Sequence, residues 1–555
     1  MQGFFSRLLI IVFFLIPTIG FYCYDEWTAW YQAGVLLLLR LILLMTLFEL
    51  IEIGSKKWLK YSFLVLAFPA FFADVLFLYS YKSLMSTSST MALMNSTWEE
   101  SSDFIHLYAW GMVAIILAYV GVSFVFIKNK YSVVKFGNKY FKVLSLFFIV
   151  VFVLIAENVF SVTVDDIGRD SKSFFKTRVV EHFPFNIYYR LYENKLYQQK
   201  AEQFRETVGS YKFNAQLDGI DKTDTLTVVL IIGETQRADL YLTEINKRKD
   251  KLPSFSGANL VPFPRMYATA NSTAYCVPMI LTRATVDQYD LRYTEPSLIN
   301  LFNEAGYKTY WLANLNLFKG PETATYLENT DEFFPLWKQG KDDDVIVEYL
   351  KQVLQQPNPR KFIIINMKGN HFNYSYPEKY SIYQPNLESG NINTFSVNDK
   401  AAYLNSYLNT TVYQLDLLDQ LHKLLDQYGT NSALFFSSDH GESLFEAPHY
   451  LFGHGSSVVP IEQLSCFSYY WLSNEYQMLF PAKAHNIKAN CKHAVSADNI
   501  FYSIADLGAI RFDTNKPAYS ISSDLFKEMD TLKVVVGNAR HVFNVKDFEE
   551  TRLQK

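Results

Sequence analysis

Metal-ligand residue types directly follow two apolar runs that have the composition of buried strands. Glu234 comes after the run Leu226–Ile232. Asp439 and His440 come after the run Ala433–Phe436. Parallel strands place the residues after their carboxyl ends at one edge of a sheet, where α/β proteins hold their ligands, and Zn²⁺ accepts carboxylate oxygens and imidazole nitrogens. The pattern predicts a divalent-metal site, although Glu234 taken alone also fits a surface glutamate after a core strand.

A hydroxyl group lies between these two motifs in the sequence. Ser272 and Thr273 open the segment Asn-Ser-Thr-Ala-Tyr and suit the N-cap of a helix. A helix that begins here would direct its amide dipoles towards an anion. A metal lowers the pKa of a hydroxyl beside it, which makes that hydroxyl a nucleophile. Thr273 therefore indicates group transfer at the metal site.

The elements that must position these residues alternate between strand and helix. Further strands are expected at Lys308–Leu312 and Phe362–Asn366. Helical patterns separate the strands, and they cover Ser297–Ala305, Asp343–Gln355 and Lys400–Tyr428. This alternation predicts an α/β domain over residues 225–555, with a mostly parallel sheet between helices.

The beginning of the chain is much more apolar than the rest. Five apolar stretches reach the about 17–25 residues that cross a bilayer, namely Leu8–Tyr24, Thr28–Ile51, Leu59–Tyr81, Phe104–Ile127 and Phe141–Val164. The first stretch also has the charge pattern of a signal peptide, but four more spans follow and no A-x-A cleavage site closes it. We predict a transmembrane domain over residues 1–164 and an interfacial bridging segment over residues 165–224, for which a packed linker is the alternative.

The distribution of lysine and arginine predicts the orientation of the spans. The N-terminus and alternate loops are basic, whereas the intervening loops hold only Lys82. Basic loops stay inside the cell, so five crossings would leave the C-terminal domain outside. The net charge of −4 gives no support to a nucleic-acid partner. The lipid bilayer is the partner that the sequence predicts.

Two charged residues fall inside the predicted spans. Arg40 lies in the second span and Asp74 in the third. Each would cost about 2.5–3.5 kcal/mol at a helix centre on insertion scales. Their similar depth predicts an inward-facing ion pair, and a role in the passage of a lipid headgroup is the alternative.

Three motifs in the chain resemble those of the lipid phosphoethanolamine transferases of Gram-negative bacteria. The motifs are Gly-Glu-Thr-x-Arg at 233–237, Ser-Thr-Ala-Tyr-x-Val-Pro at 272–278 and Ser-Asp-His-Gly-Glu-Ser at 438–443. That family belongs to the alkaline phosphatase/sulfatase superfamily. The resemblance implies that Glu234, Thr273, Asp439 and His440 bind one zinc ion, and it leaves a second ion open. It also implies that Thr273 carries a covalent phosphoethanolamine.

The same resemblance implies the substrates and the location. The donor would be phosphatidylethanolamine, and the acceptor lipid A or core lipopolysaccharide. The catalytic domain would be periplasmic and tethered to the bacterial inner membrane, with the N-terminus in the cytoplasm.

Further substrate residues are implied only by this resemblance. His371 and His454 match histidines that contact phosphoethanolamine, a second zinc ion or the leaving oxygen as proton donor, although lone histidines are usually structural. Asn314 and Lys319 lie in a segment similar to a substrate loop in which the residue matching Lys319 pairs with phosphate. Ser96 and Glu100 take positions near the donor headgroup, and a solvated loop is the alternative there.

Three rival functions remain at this point. A phosphoglycerol transferase of the lipoteichoic acid or glucan type has a similar layout, but Gly-Glu-Thr-x-Arg favours phosphoethanolamine. A sulfatase activity needs Cys or Ser within Cys/Ser-x-Pro-x-Arg, which the residues from Thr273 onward do not match. A non-catalytic membrane scaffold would not need all four ligand types.

The cysteines predict one disulfide. Cys466 and Cys491 both lie in the domain that we expect outside the cell, where disulfides form. No CxxC zinc motif is present in the sequence.

Overall fold

A computed structural model describes most of the chain. The described residues are 2–24, 30–53, 56–81, 84–85, 89–90, 93–94, 98–128, 143, 145–147, 149–150, 183–221, 224–316, 321–389, 397–429, 431–447, 450–455, 460–536 and 539–553. They form two compact units, of which the first ends at Lys195 and the second begins at Leu196. This boundary lies inside the predicted bridging segment, residues 165–224.

The first unit consists of long helices. They are α1 (Gln2–Tyr24), α2 (Trp30–Ile53), α3 (Lys57–Tyr81), α4 (Trp98–Lys128) and the first half of α5 (Asn186–Thr207).

Some of these helices are long and apolar enough to cross a membrane. Within the described residues they are Ala33–Ile53, Lys57–Ser80 and Tyr108–Lys128, and the apolar part of α1, Leu8–Phe21, is shorter. The fifth predicted span, Phe141–Val164, lies largely outside the described residues. Aromatic rings pack between the helices. The ring centroid of Phe14 in α1 lies 5.8 Å from that of Phe48 in α2 and 5.4 Å from that of Phe63 in α3.

The predicted ion pair between Arg40 and Asp74 is wrong. Asp74 of α3 is buried, and one of its carboxylate oxygens accepts a hydrogen bond from Asn186 Nδ2 at 2.5 Å. The other oxygen lies 3.5 Å from Nη1 of Arg190. Both partners belong to α5, whose sequence shows no membrane-span pattern. The prediction compared only the depths of charged residues in neighbouring spans, and it therefore missed the partner of this carboxylate.

A seven-stranded sheet forms the centre of the second unit. Its strands are β1 (Leu226–Gly233), β2 (Leu260–Pro262), β3 (Lys308–Ala313), β4 (Glu332–Pro335), β5 (Arg360–Asn366), β6 (Ser432–Ser438) and β7 (Ser468–Leu472). Their order across the sheet is β2-β7-β6-β1-β5-β3-β4. The five strands from β6 to β4 pair in parallel, whereas β7 pairs antiparallel with both of its neighbours.

Helices cover both faces of this sheet. In the second unit they are α6 (Ala238–Lys247), α7 (Pro253–Ser256), α8 (Thr273–Leu281), α9 (Leu298–Glu304), α10 (Pro321–Glu328), α11 (Val345–Leu354), α12 (Lys400–Tyr428), α13 (Ile461–Leu464), α14 (Asn474–Leu479), α15 (Pro481–Asn490), α16 (Ile500–Leu507) and α17 (Val545–Leu553). Short two-stranded pairings join Gln216–Leu217 to Ile510–Arg511, Ser443–Leu444 to Phe452–Gly453, Met266–Tyr267 to Val495–Ser496, and Thr531–Val536 to Ala539–Asn544.

The central strand β1 is buried along its whole length because helices cover both of its faces. Val228 and Leu230 belong to the cluster that includes Ile280 of α8. Val229 belongs to the opposite cluster, which includes Leu418 of α12. Full burial of each such side chain stabilises the fold by about 1.5–3 kcal/mol, and it fixes the strand whose end bears Glu234.

The register of the three central strands brings their carboxyl ends together. Gly233 at the end of β1 lies opposite Ser438 of β6, and Ile232 lies opposite Asn366 of β5. The residues that follow these strands therefore meet at one edge of the sheet.

Candidate metal centre and nucleophile

The hydroxyl group of Thr273 lies between residues from two strand ends. Thr273 is the first residue of α8, and Ser272 precedes it in an extended conformation without a side-chain capping bond. Oγ1 of Thr273 lies 3.2 Å from each carboxylate oxygen of Glu234 and 3.2 Å from Nε2 of His440. The structure thus brings together three of the four residues that the sequence predicted as zinc ligands.

The fourth predicted ligand, Asp439, borders the same point. Its Oδ1 accepts hydrogen bonds from the backbone N–H groups of Thr235 at 3.3 Å and His440 at 2.7 Å. Its Oδ2 lies 3.4 Å from Nε2 of His440. This oxygen is buried and has no hydrogen-bond partner among the described residues. A buried carboxylate oxygen without a donor is expected where a cation binds.

The ring of His440 is oriented for metal binding. Its Nδ1 lies 2.9 Å from the carbonyl oxygen of Gly441 and donates to it, so Nε2 keeps the lone pair. Ligand atoms of Glu234, His440 and His454 all lie within 4.8 Å of one another. With the unsatisfied oxygen of Asp439, this donor set of carboxylates and imidazoles fits zinc.

Burial and like charge perturb the acidity of these groups. The pKa of Glu234 is raised well above its usual value by burial and by the negative charge of Asp439. Burial raises the pKa of Asp439 to about 6. Burial and the nearby positive charge of His454 lower the pKa of His440 well below its usual value. A divalent cation would favour the deprotonated form of each group.

These shifts predict how zinc changes thermal stability with pH. A carboxyl whose pKa is raised on folding stabilises the fold below its unfolded pKa, and this contribution is lost as the pH rises through the folded pKa. Zinc-free protein should therefore lose stability as the pH rises through about 6, the folded pKa of Asp439. Zinc competes with protons for the carboxylates, so the rise in melting temperature on adding zinc should be larger at about pH 8 than at about pH 5. Equal rises at both pH values in thermal melts of the full chain would contradict this ligand set.

A buried carboxylate lies behind His454. Glu442 is fully buried, and its Oε2 accepts a 2.8 Å hydrogen bond from the hydroxyl group of Tyr374. Its Oε1 lies 3.7 Å from Nδ1 of His454, and both atoms are buried without a hydrogen-bond partner in the described part of the chain. A small movement of the histidine would let Nδ1–H donate to Glu442. In the sequence, Glu442 was recognised only as part of the Ser-Asp-His-Gly-Glu-Ser motif, and no role was predicted for it.

Replacing Glu442 with glutamine should slow catalysis while the fold persists. Carboxylates that orient a metal-binding histidine typically contribute about 10–100-fold to metal affinity or activity, and we expect a loss in that range. Tyr374→Phe removes only the hydrogen bond to the other carboxylate oxygen and should have a smaller effect. Steady-state kinetics with zinc titrations would measure both variants, and wild-type values for Glu442→Gln would show that this carboxylate does not act on His454.

The loop after β5 closes on the backbone of Glu234. Gly369 has φ +55°, and a Cβ atom at this position would lie 2.7 Å from the carbonyl oxygen of Glu234 and 2.8 Å from its nitrogen. Asn370 N–H donates to the same carbonyl at 2.9 Å. Only glycine fits this approach. The loop brings His371 close enough for its positive charge to help lower the pKa of His440.

Asn314 is held by a carboxylate that the sequence did not indicate. Its Nδ2 donates to Oδ1 of Asp343 at 2.9 Å, while its Oδ1 is buried with no hydrogen-bond partner among the described residues. Asp343 also accepts from the backbone N–H groups of Lys368 at 2.9 Å and Gly369 at 3.0 Å. Asp343 therefore ties the end of β3 to the loop that bears His371. In the sequence, Asp343 was recognised only as the first residue of the predicted helix Asp343–Gln355.

The remaining predicted substrate residues are not placed by the structure. Ser96 and Lys319 lie outside the described residues, and only the helical backbone of Glu100 is described.

The predicted Cys466–Cys491 disulfide is wrong, because both cysteines are free. Cys466 is fully buried, with Sγ 3.5 Å from the carbonyl oxygen of Leu464. Cys491 follows α15, with Sγ 3.2 Å from the carbonyl oxygen of Lys488. Each thiol contacts a carbonyl oxygen of its own segment. The prediction depended on a shared oxidising compartment, which does not determine whether two cysteines lie close together.

Comparison with known proteins finds one matching family model and several similar relatives. The family model described as Sulfatase matches residues 226–507. Phosphoethanolamine transferase EptC of Escherichia coli (strain K12) is 24% identical over 366 residues, which cover 60% of this chain and 62% of EptC. Phosphoethanolamine transferase EptA of the same strain is 26% identical over 310 residues, which cover 52% of this chain and 54% of EptA. The matched region thus spans about half to three fifths of these relatives.

Two solved structures extend the likeness in fold. The integral membrane protein lipooligosaccharide phosphoethanolamine transferase A from Neisseria meningitidis superposes with a TM-score of 0.68 at 18% identity, covering 93% of this chain and 97% of that chain. The C-terminal periplasmic domain of EptC from Escherichia coli, in complex with Zn, gives a TM-score of 0.52 at 22% identity, covering 60% of this chain and 95% of that domain. The fold is therefore a sulfatase-like C-terminal domain with apolar N-terminal helices.

Proposed function

This chain belongs to the sulfatase family, and from that premise we propose that it is a zinc-dependent phosphoethanolamine transferase. The donor is phosphatidylethanolamine, and the acceptor is lipid A or core lipopolysaccharide. One observation carries the proposal: the Thr273 hydroxyl lies 3.2 Å from both oxygens of Glu234 and from Nε2 of His440. A hydroxyl among buried ligands of this kind suits a nucleophile at a metal. The phosphoethanolamine transferases similar to this chain support the choice of transferred group.

Glu234, Thr273, Asp439 and His440 would hold one zinc ion. His454, whose ligand atom lies within 4.8 Å of those of Glu234 and His440, would be a further ligand for this ion or for a second one. When bound, zinc acts as a Lewis acid that lowers the pKa of a hydroxyl group and neutralises phosphate charge. Hydrogen bonds between the backbone and the side chains of Asp439 and His440 hold their ligand atoms in place before substrate arrives, which reduces the cost of reorganisation.

The first half-reaction forms a bond between Thr273 and phosphorus. Oγ1 of Thr273 gives its proton to water and attacks the phosphodiester of phosphatidylethanolamine in line. The bond from phosphorus to the glycerol oxygen breaks, and diacylglycerol leaves after taking a proton from His371 or His454. Phosphoethanolamine is then esterified to Thr273.

The second half-reaction releases the group to the acceptor. A phosphate or sugar hydroxyl oxygen of lipid A or core lipopolysaccharide attacks phosphorus, and the bond to Oγ1 of Thr273 breaks. Oγ1 of Thr273 regains its proton from water. Where the acceptor is a sugar hydroxyl, the histidine that lost its proton in the first half-reaction accepts the proton of that hydroxyl, and where it is a phosphate the histidine takes a proton from water. The product carries an added positive amine beside the acceptor's phosphate, so cationic peptides should bind that surface less well.

Membrane attachment suits a lipid donor and a lipid acceptor. The apolar helices α2, α3 and α4 would tether the catalytic unit to the inner membrane, with the N-terminus in the cytoplasm and the catalytic unit in the periplasm. Ser96, Glu100, Asn314 and Lys319 remain proposed contacts of the donor headgroup.

Labelled donor lipids would test this proposal against its closest rival. Purified full-length protein, zinc and lipopolysaccharide are incubated with phosphatidylethanolamine labelled in ethanolamine, or with phosphatidylglycerol labelled in its headgroup. We expect the ethanolamine label in the lipopolysaccharide fraction and no glycerol label there. Transfer of glycerol label alone would establish a phosphoglycerol transferase. Zinc-loaded protein that transfers neither label would favour a non-catalytic scaffold.

A further inference from the structure

The helix α5 changes character halfway along its length. From Phe185 to Leu196 the exposed side chains are almost all large and apolar, namely Phe185 (50% exposed), Tyr188 (40%), Leu191 (44%), Tyr192 (54%) and Leu196 (38%), with Lys195 as the exception. From Gln198 to Thr207 every exposed side chain is polar, namely Gln198, Gln199, Lys200, Glu202, Gln203, Arg205, Glu206 and Thr207.

The buried side chains of α5 change in the opposite sense. In the first half, the buried set consists mostly of polar residues, namely Asn186, Arg190, Glu193 and Asn194, together with Ile187. In the second half, Ala201 and Phe204 are buried in the apolar core of the second unit. The second half is therefore an ordinary amphipathic helix, and the first half has the reverse pattern, polar inside and apolar outside.

The reversed half is fixed by polar contacts within the first unit. Asn186 and Arg190 bind the carboxylate of Asp74 on α3. Nδ2 of Asn194 lies 3.7 Å from Sδ of Met94. In lipid, which is as apolar as the side chains themselves, hydrophobic burial does not drive helices together. Helices there are held together by close packing and by interhelical hydrogen bonds.

The exposed residues form one continuous face. Tyr188, Leu191, Tyr192 and Leu196 recur at helical spacing and share one side of α5. The hydroxyl group of Tyr188 donates to the carbonyl oxygen of Leu66 at 2.7 Å. Leu66 lies in a predicted span of α3, and its own side chain is 58% exposed. The apolar face of α5 is thus continuous with the exposed apolar surface of α3 around Leu66.

We propose that this face, formed by Phe185, Tyr188, Leu191, Tyr192 and Leu196, is immersed in the bilayer and contacts the acyl chains of phospholipids. The membrane surface then crosses α5 near Lys195, whose ammonium group would reach the headgroups. From Asn186 to Leu196 the helix rises about 15 Å, which is comparable with one leaflet of a hydrocarbon core about 30 Å thick. Acyl chains would also shield the buried ion pair of Asp74 and Arg190 from water.

Spin labelling of the full chain in lipid vesicles would test this assignment. The variants Tyr192→Cys and Gln203→Cys lie on the same side of α5 about three turns apart, in a background where the exposed Cys23 and the half-buried Cys491 are replaced by serine. The power saturation of each label's paramagnetic resonance signal is measured with oxygen, which concentrates in acyl chains, and with a water-soluble nickel chelate. The change in saturation gives the accessibility of the label to each reagent. We expect the ratio of oxygen to nickel accessibility to exceed unity at Tyr192 and to fall below unity at Gln203.

Two outcomes would overturn the proposal. Nickel accessibility at Tyr192 as high as at Gln203 would place the face in water. Low accessibility to both reagents would show that protein covers it, for example a second copy of the chain. A label at Leu191→Cys repeats the measurement on the same face if Tyr192→Cys does not fold, and each labelled variant must melt at the wild-type temperature.

Discussion

Thr273→Ala protein is expected to lose both donor cleavage and transfer by about a thousandfold or more, because removal of a covalent nucleophile has effects at least of this size in well-studied hydrolases. Release of diacylglycerol and labelling of lipopolysaccharide would be measured in parallel. The two activities should fall together, since both half-reactions pass through Oγ1 of Thr273. Thr273→Ser keeps a hydroxyl and should retain partial activity.

Ser272→Ala is the matched control for this experiment. Ser272 is adjacent to the nucleophile, but its side chain makes no capping hydrogen bond to α8. Its loss should leave activity near the wild-type value. Inactivity of Ser272→Ala combined with normal transfer by Thr273→Ala would show that the wrong hydroxyl has been assigned.

Asp439→Asn should remove zinc and activity without unfolding the protein. The amide keeps an oxygen for the N–H groups of Thr235 and His440, which Oδ1 of Asp439 accepts. It replaces the unsatisfied Oδ2, 3.4 Å from Nε2 of His440, with a neutral donor. Zinc affinity should fall at least about 100-fold, because a charged ligand is lost. Zinc content after dialysis and steady-state transfer rates would measure the loss.

The stability of the zinc-free variant separates a ligand from a purely structural residue. Without metal, ionised Asp439 destabilises the wild-type fold through burial, and its charge raises the pKa of Glu234. Zinc-free Asp439→Asn should therefore melt at a higher temperature than zinc-free wild type at about pH 8. Asp250→Asn, which alters an exposed aspartate, should change neither zinc content nor melting. A destabilised Asp439→Asn protein with normal zinc content would contradict the proposed role.

The sequence was informative for residues whose position depends on a single strand or helix. Apolar runs identified the strands that end before Glu234 and Asp439, and the parallel register places those ends together. These inferences depend on local periodicity and on a general property of parallel sheets. Thr273 was singled out by the resemblance of Ser-Thr-Ala-Tyr-x-Val-Pro to the family's motif, because a hydroxyl residue at a helix start is also an ordinary N-cap.

Residues whose role depends on distant partners were not predictable. Asp343 opens the predicted helix Asp343–Gln355 and was given no role, yet the fold buries it against Asn314 and Gly369. The partner of Asp74 comes from α5 at Arg190, more than a hundred positions away in sequence. Periodicity reports which face of an element is buried and does not report which side chain of another element meets it.

The mass of the peptide that contains Thr273 tests the central claim most directly. Zinc-loaded wild-type protein is incubated with phosphatidylethanolamine without an acceptor, quenched in acid, digested and analysed by mass spectrometry. We predict that this peptide gains one phosphoethanolamine group, that fragmentation places the group on Thr273, and that adding lipopolysaccharide before the quench removes it. Transfer to lipopolysaccharide with no adduct at any quench time, together with inversion at phosphorus, would contradict a covalent intermediate and reduce Thr273 to a metal ligand.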